Sequence, residues 1–105
     1  MRVHSANELI DVAQVLGPDA ATVVAEDIPC GVTDLAGRRL EQAQLIAAET
    51  THMVLMRAND GSVVTDSSYL DIDGLTYFVD YRQDPRKPRP KMWTEIYCHV
   101  ERQGN

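Results

Sequence analysis

Hydrophobic and polar positions change period along the chain, and the clearest change lies between Asp34 and Arg57. Ala36, Leu40, Ala43, Ile46 and Ala47 fall on one side when successive residues turn by about 100°, which predicts an amphipathic helix able to lie on a sheet. Asp34 is placed to cap its N-terminus, because a carboxylate there can accept from backbone N–H groups two or three residues on. Leu45 projects roughly opposite the stripe, among Arg38, Glu41, Gln42 and Glu49, where a monomer has no obvious use for it. It is either a stray exposed leucine, the commoner case, or a contact residue. From Thr51 to Ala58 the period becomes two. His52, Val54 and Met56 share one face, Met53 and Leu55 the other, and this pattern predicts a strand buried on both sides.

The flanking segments read as further strands. Leu9 to Leu16 fits a short helix or a strand with Ile10 and Val12 on one face. The turn signal Gly17-Pro18-Asp19 and the β-branched run from Thr22 to Cys30 favour the strand. Pro29 cannot donate to a ladder, so it points to a sheet edge, a bulge or a strand end, and is expected to bend the chain toward the helix. Asn59-Asp60-Gly61 supplies a turn and Ser62 to Ser68 a polar loop. Tyr69 to Ile72 and Leu75 to Tyr81 then flank Asp73-Gly74, a pair suited to a type I′ turn. In that register Leu70, Ile72, Leu75, Tyr77 and Val79 share the core side. Phe78 faces away, either packed under another element or presented to a partner. Arg82 to Pro90 carries three prolines in six residues and reads as an extended connection. Met92 to Glu101 alternates again. The expected fold is mainly β: one domain over residues 1–105, a small antiparallel barrel or sandwich of about six strands with one inserted helix. Residues 1–8 are expected to be loosely ordered and residues 102–105 frayed.

Composition adds limits. At 105 residues and 44% apolar content, the chain can bury one core. No apolar run approaches the roughly 18 residues of a membrane span, and no basic-then-apolar leader follows Met1, so a soluble chain working in the cytoplasm or in something assembled there is expected. Cys30 and Cys98 lack C-x-x-C spacing and read as reduced, buried thiols. The net charge of −6 is unevenly spread: Arg82 to Lys91 holds five of the ten Lys and Arg residues against one of the sixteen acids. The rest is strongly acidic and should repel nucleic acid. The segment with Arg82, Arg86, Lys87, Arg89 and Lys91 has three readings: a solvated loop, an arm docking on an acidic neighbouring subunit, or a salt-sensitive DNA contact.

Catalytic constellations are not apparent. His4, His52 and His99 lack metal-site spacing, and Cys98 and His99 are strand neighbours that point to opposite faces. Asp71 and Asp73 share a face but sit beside a tight turn, where a solvated pair is the ordinary case. The six glycines are scattered singly, so no phosphate loop is formed. No enzymatic activity, cofactor or metal is expected.

Two runs carry a resemblance. G-R-x-L-x-x-A at Gly37 to Ala43 with A-E-T-T-H-x-V-x-M-R at Ala48 to Arg57, followed by D-G-L-T-Y-F-V at Asp73 to Val79, resembles the head–tail joining (head closure, or stopper) proteins of long-tailed bacteriophages. The likeness covers roughly residues 23 to 101, and that family also opens with a hairpin. It implies a virion protein at the head–tail junction, assembled in the host cytoplasm. Copies would form a homo-oligomeric ring below the portal and its adaptor, meet the tail or tail-terminator protein below, and surround DNA without reading its sequence. Arg38, Glu41 and Leu45, with Phe78, are the candidate subunit contacts. In the family a loop narrows the channel; the segments flanking the helix and Gly61 to Ser68 are candidates here. A tail terminator or another neck protein is an alternative within the virion, because fold alone does not set function. A small regulatory domain binding one partner through Phe78 and the basic segment is an alternative of a different class.

Overall fold

The computed structural model describes residues 11–83 and 93–100. In chain order these form β1 (Asp11–Leu16), β2 (Val23–Asp34), α1 (Gly37–Ile46), β3 (His52–Arg57), the single turn α2 (Ala58–Gly61), β4 (Tyr69–Ile72), β5 (Leu75–Gln83) and β6 (Trp93–Val100). All strand pairs are antiparallel. They close into a barrel in the order β1-β2-β3-β6-β5-β4, with β4 returning to β1. The mainly β barrel with an inserted helix agrees with the sequence reading.

Period-two alternation builds the interior. Ala13 and Val15 of β1, Ile28 and Cys30 of β2, Val54 and Met56 of β3, Leu70 and Ile72 of β4, Tyr77 and Val79 of β5, and Ile96 and Cys98 of β6 form one buried cluster. In β1 the inward residues are Ala13 and Val15, whereas Val12 is half exposed. β3 is buried on both sides, as its composition predicts. Met53 and Leu55 look outward and pack with Leu35, Ala43 and Tyr97 in a second cluster under α1, joined by Leu40, Tyr81 and Trp93. The Asp73-Gly74 turn takes φ of +53° and +83°, which the I′ geometry requires, and sets Ile72 opposite Leu75 and Leu70 opposite Tyr77.

Several boundaries differ from expectation. Asp34 ends β2 instead of capping α1: it pairs with His52 of β3, and its carboxylate lies 2.9 Å from His52 Nε2. The helix is preceded by extended Ala36, with no side-chain cap. Pro29 lies inside β2, opposite Val12, just before pairing with β3 begins at Cys30. On that stretch β2 has a ladder neighbour only in β1 among the described residues, which is where a strand tolerates proline. β5 runs on to Gln83, so Arg82 is a strand residue and not part of the basic connection. Its Nη1 donates to the carbonyls of Gly61 (2.9 Å) and Val64 (3.4 Å). Arg86, Lys87, Arg89 and Lys91, like Leu9, Ile10 and the two chain ends, lie outside the described residues.

The segment from α2 to Ser68 seats against the barrel, with Val64 joining its core. Gly61 explains the close fit. A Cβ there stands 2.7 Å from Thr94 Cβ and 3.0 Å from both Thr94 Cγ2 and Oγ1, closer than packed atoms approach. Gly61→Ala is therefore expected to destabilise the protein by about 1 to 3 kcal/mol, the usual cost of overpacking. Urea denaturation checks this; an unchanged midpoint would mean that α2 is free to lift away.

Candidate functional site

The face that distinguishes this barrel lies around α1. Ala43 is buried and Leu40 half-buried against the outer surface of β3, β6 and β5, but the helix turns much of its apolar surface to solvent. Leu45 is 86% exposed, as its place opposite the stripe predicts, and Ile46 is 64% exposed although the helical period places it on the packed stripe. The helix ends at Ile46, with Ala47 extended behind it. Arg38 and Glu41 are exposed on the same side as Leu45, seven and four residues before it. Beneath the helix runs a groove of about 210 Å³ lined by Arg39, Gln42, Ala43, Ile46, Tyr81, Gln83 and Tyr97. Tyr81 and Tyr97 stack in its floor, with centroids 4.6 Å apart and planes inclined by 4°. Tyr97 donates its hydroxyl to Glu95 at 2.9 Å; burial first, and that bond second, push its phenol up to about 12.

The joint between α1 and β3 is fixed by a polar cluster. Between the pairs Val79–Cys98 and Tyr81–Tyr97, two residues of β5 oppose one of β6, and the extra residue is Asp80. The bulge accompanies an Asp80 carboxylate that accepts from the buried Thr50 hydroxyl at 2.8 Å and lies 3.0 Å from His99 Nδ1. The other ring nitrogen of His99 faces Glu49 at 3.5 Å. The imidazole is stacked on Phe78 (5.2 Å, 21°), which meets Tyr69 edge-on. Gln44 Nε2 donates to the Thr50 carbonyl, tying the helix to the same point.

Glu49, Asp80 and His99 bring their donor atoms within 4.8 Å of one another and could offer three ligands to a cation. Their wiring is that of a clamp. Among the described residues the hydroxyl bonded in the cluster is that of Thr50, which donates to the carboxylate and not to the imidazole, so these groups are not in the series nucleophile, base and orienting acid. Sequence reasoning did not find this group. Asp80 and His99 meet at a bulge, which strict alternation does not predict.

The predicted contact residues therefore fall into separate places. Arg38, Glu41 and Leu45 lie together on α1, Phe78 forms part of the aromatic row beside the joint, and Arg82 is engaged by the loop after α2. Cys30 and Cys98 are free and buried inside the barrel. Among the described residues no helix is long and apolar enough to cross a membrane. No protein-family model matches the chain, and a search of curated proteins returns no match.

Proposed function

We propose that this chain is a structural protein of the neck of a long-tailed bacteriophage. Copies would form a ring between the portal with its adaptor and the tail, close the DNA-filled head and offer the tail its attachment surface. The observation that carries this reading is the helix inserted between β2 and β3. It is anchored at its C-terminal joint by the Thr50–Asp80–His99 clamp, yet it presents Leu45 and Ile46 outward beside Arg38 and Glu41. A large aliphatic side chain left this exposed contributes little to the monomer and suits a contact between subunits. The motifs resembling the head-closure family fall on α1, on β3, and on β5 with the turn before it, and of these α1, β3 and β5 frame this face. Net charge of −6 suits a ring through which DNA passes without sticking.

Deleting the gene from the phage or prophage that encodes this chain tests the reading. Heads that package DNA but leak, beside finished free tails, are the expected result. Full heads with overlong or ragged tails would move the protein to the tail-terminator position. Normal infectious particles would sink the structural reading and favour a partner-binding domain. Reversing the charge of Arg38 is expected to leave a folded chain that no longer joins necks, and loss of folding would count against the assignment of that face.

A further inference from the structure

The strand order places β1 three strands from β6 in either direction, so the wall β4–β1–β2 lies across the barrel from the wall that carries α1. The two walls differ in charge. All four described Arg and Lys residues, Arg38, Arg39, Arg57 and Arg82, belong to α1, β3 and β5. The strands β4, β1 and β2 have none, and carry Asp11, Glu26, Asp27, Asp34 and Asp71. Both walls also expose aliphatic surface: Leu45 (86%) and Ile46 (64%) on one, Val12 (51%), Val23 (50%) and Val24 (51%) on the other. On the acidic wall Val12 sits in an open depression of about 360 Å³ whose other lining residues are Asp11, Gln14, Asp71 and Asp73.

From this complementarity we infer that the Val12 depression on the β4–β1–β2 wall is the receiving surface for α1 of a second copy of this chain. Leu45 meets Val12, and Arg38, two helical turns away, meets the carboxylates of Asp71 and Asp73. Glu41 is the one acid on that helix face and must turn aside to solvent. The inference deepens the ring reading and rests on it for its biological setting. Its physical content is that the contact joins two different surfaces. A patch that met itself would close a dimer, whereas unlike patches on opposite walls propagate from copy to copy and end only when the rotation closes.

The two native cysteines are buried, so new surface thiols can report the contact. The full-length double variant V12C/L45C and each single variant are treated with a short bis-maleimide, both as concentrated purified protein and within phage particles. Denaturing electrophoresis is expected to show a ladder of linked multimers for the double variant in at least one setting, and in both settings only monomer for each single variant. Mixing the two single variants is expected to give a dimer and nothing larger. Adding R38D to the double variant is expected to weaken the ladder roughly two- to fivefold at low salt, and D71R to restore it. Dimers from L45C alone, or no ladder in either setting, overturn the inference. Absence of the chain from purified particles sinks the neck reading instead, and the ladder in solution still decides the contact.

Discussion

Raising the pH from 8 to 11 is expected to lower the stability of the barrel by several kcal/mol while its contacts stay the same. Cys30 is fully buried, and desolvation, helped by the nearby charge of Asp11, pushes its thiol from an ordinary 9.0 up to about 12. Cys98 is pushed up for the same leading reason, and Tyr97 from 10.0 to about 12. The sign follows from where the proton is held. Below pH 9 the thiols are protonated in both states, and the folded chain has its full stability. Between the ordinary and the raised values the unfolded chain loses protons that the folded chain keeps, and that difference favours unfolding. At pH 11 the Cys30 term alone is on the order of 2 to 3 kcal/mol, and the others add with the same sign. Against a total of about 5 to 15 kcal/mol this is a large fraction. Urea midpoints at pH 8 and pH 11 measure it. C30A and C98A should each flatten the dependence, and a midpoint unchanged by pH in the parent would show that the thiols reach solvent without unfolding.

Met56→Ala and Leu45→Ala should fall at opposite ends of the stability scale. Met56 is fully buried within the barrel cluster, so truncation removes apolar contact and leaves a cavity that the closed sheet cannot readily collapse around. The expected cost is about 2 to 5 kcal/mol. Leu45, at 86% exposure, should cost less than about 0.5 kcal/mol in the isolated chain. Denaturation of the two purified variants checks both halves of the contrast. A marked stability loss for Leu45→Ala would return that residue to the fold and remove it from the surface proposed for assembly.

Alternation made most of the barrel legible in advance. Tyr69 to Val79 announced the hairpin and most of its core side, because Asp73-Gly74 admits few other turns and a one-residue slip would turn the apolar side chains outward; Leu75, which the register puts on the same side, is 48% exposed beside the turn. β3 was legible because apolar residues on both of its faces demand cover on both. The ends of elements were not. Asp34 has the chemistry of a helix cap, but His52 lies opposite it on β3, and a cross-strand partner depends on register that no local window contains. The charge of Arg82 and the prolines after it mark a strand end at Tyr81, whereas the Arg82 guanidinium finds two carbonyls of a segment about twenty residues earlier in the chain. The candidate assembly face was half legible. Leu45 stood out from the helical period, but Ile46 did not, since its exposure depends on where the helix stops. Val12 and its acidic surroundings come together only when β4 returns beside β1.

Strand order also governs when the molecule can finish folding. β6, the last described strand in the chain, lies between β3 and β5, so each of those two lacks its neighbour on that side until it arrives. A nascent chain that has made everything through β5 can form the β1–β2–β3 and β4–β5 pieces and join them through β1–β4, yet it is left with two unsatisfied rims. Every such rim can pair with another chain as readily as with its own missing strand. Sheet closure thus depends on sequence-distant pairings, the kind that fold slowly, and the interval before β6 inserts is when crowding of newly made chains carries the greatest risk of aggregation.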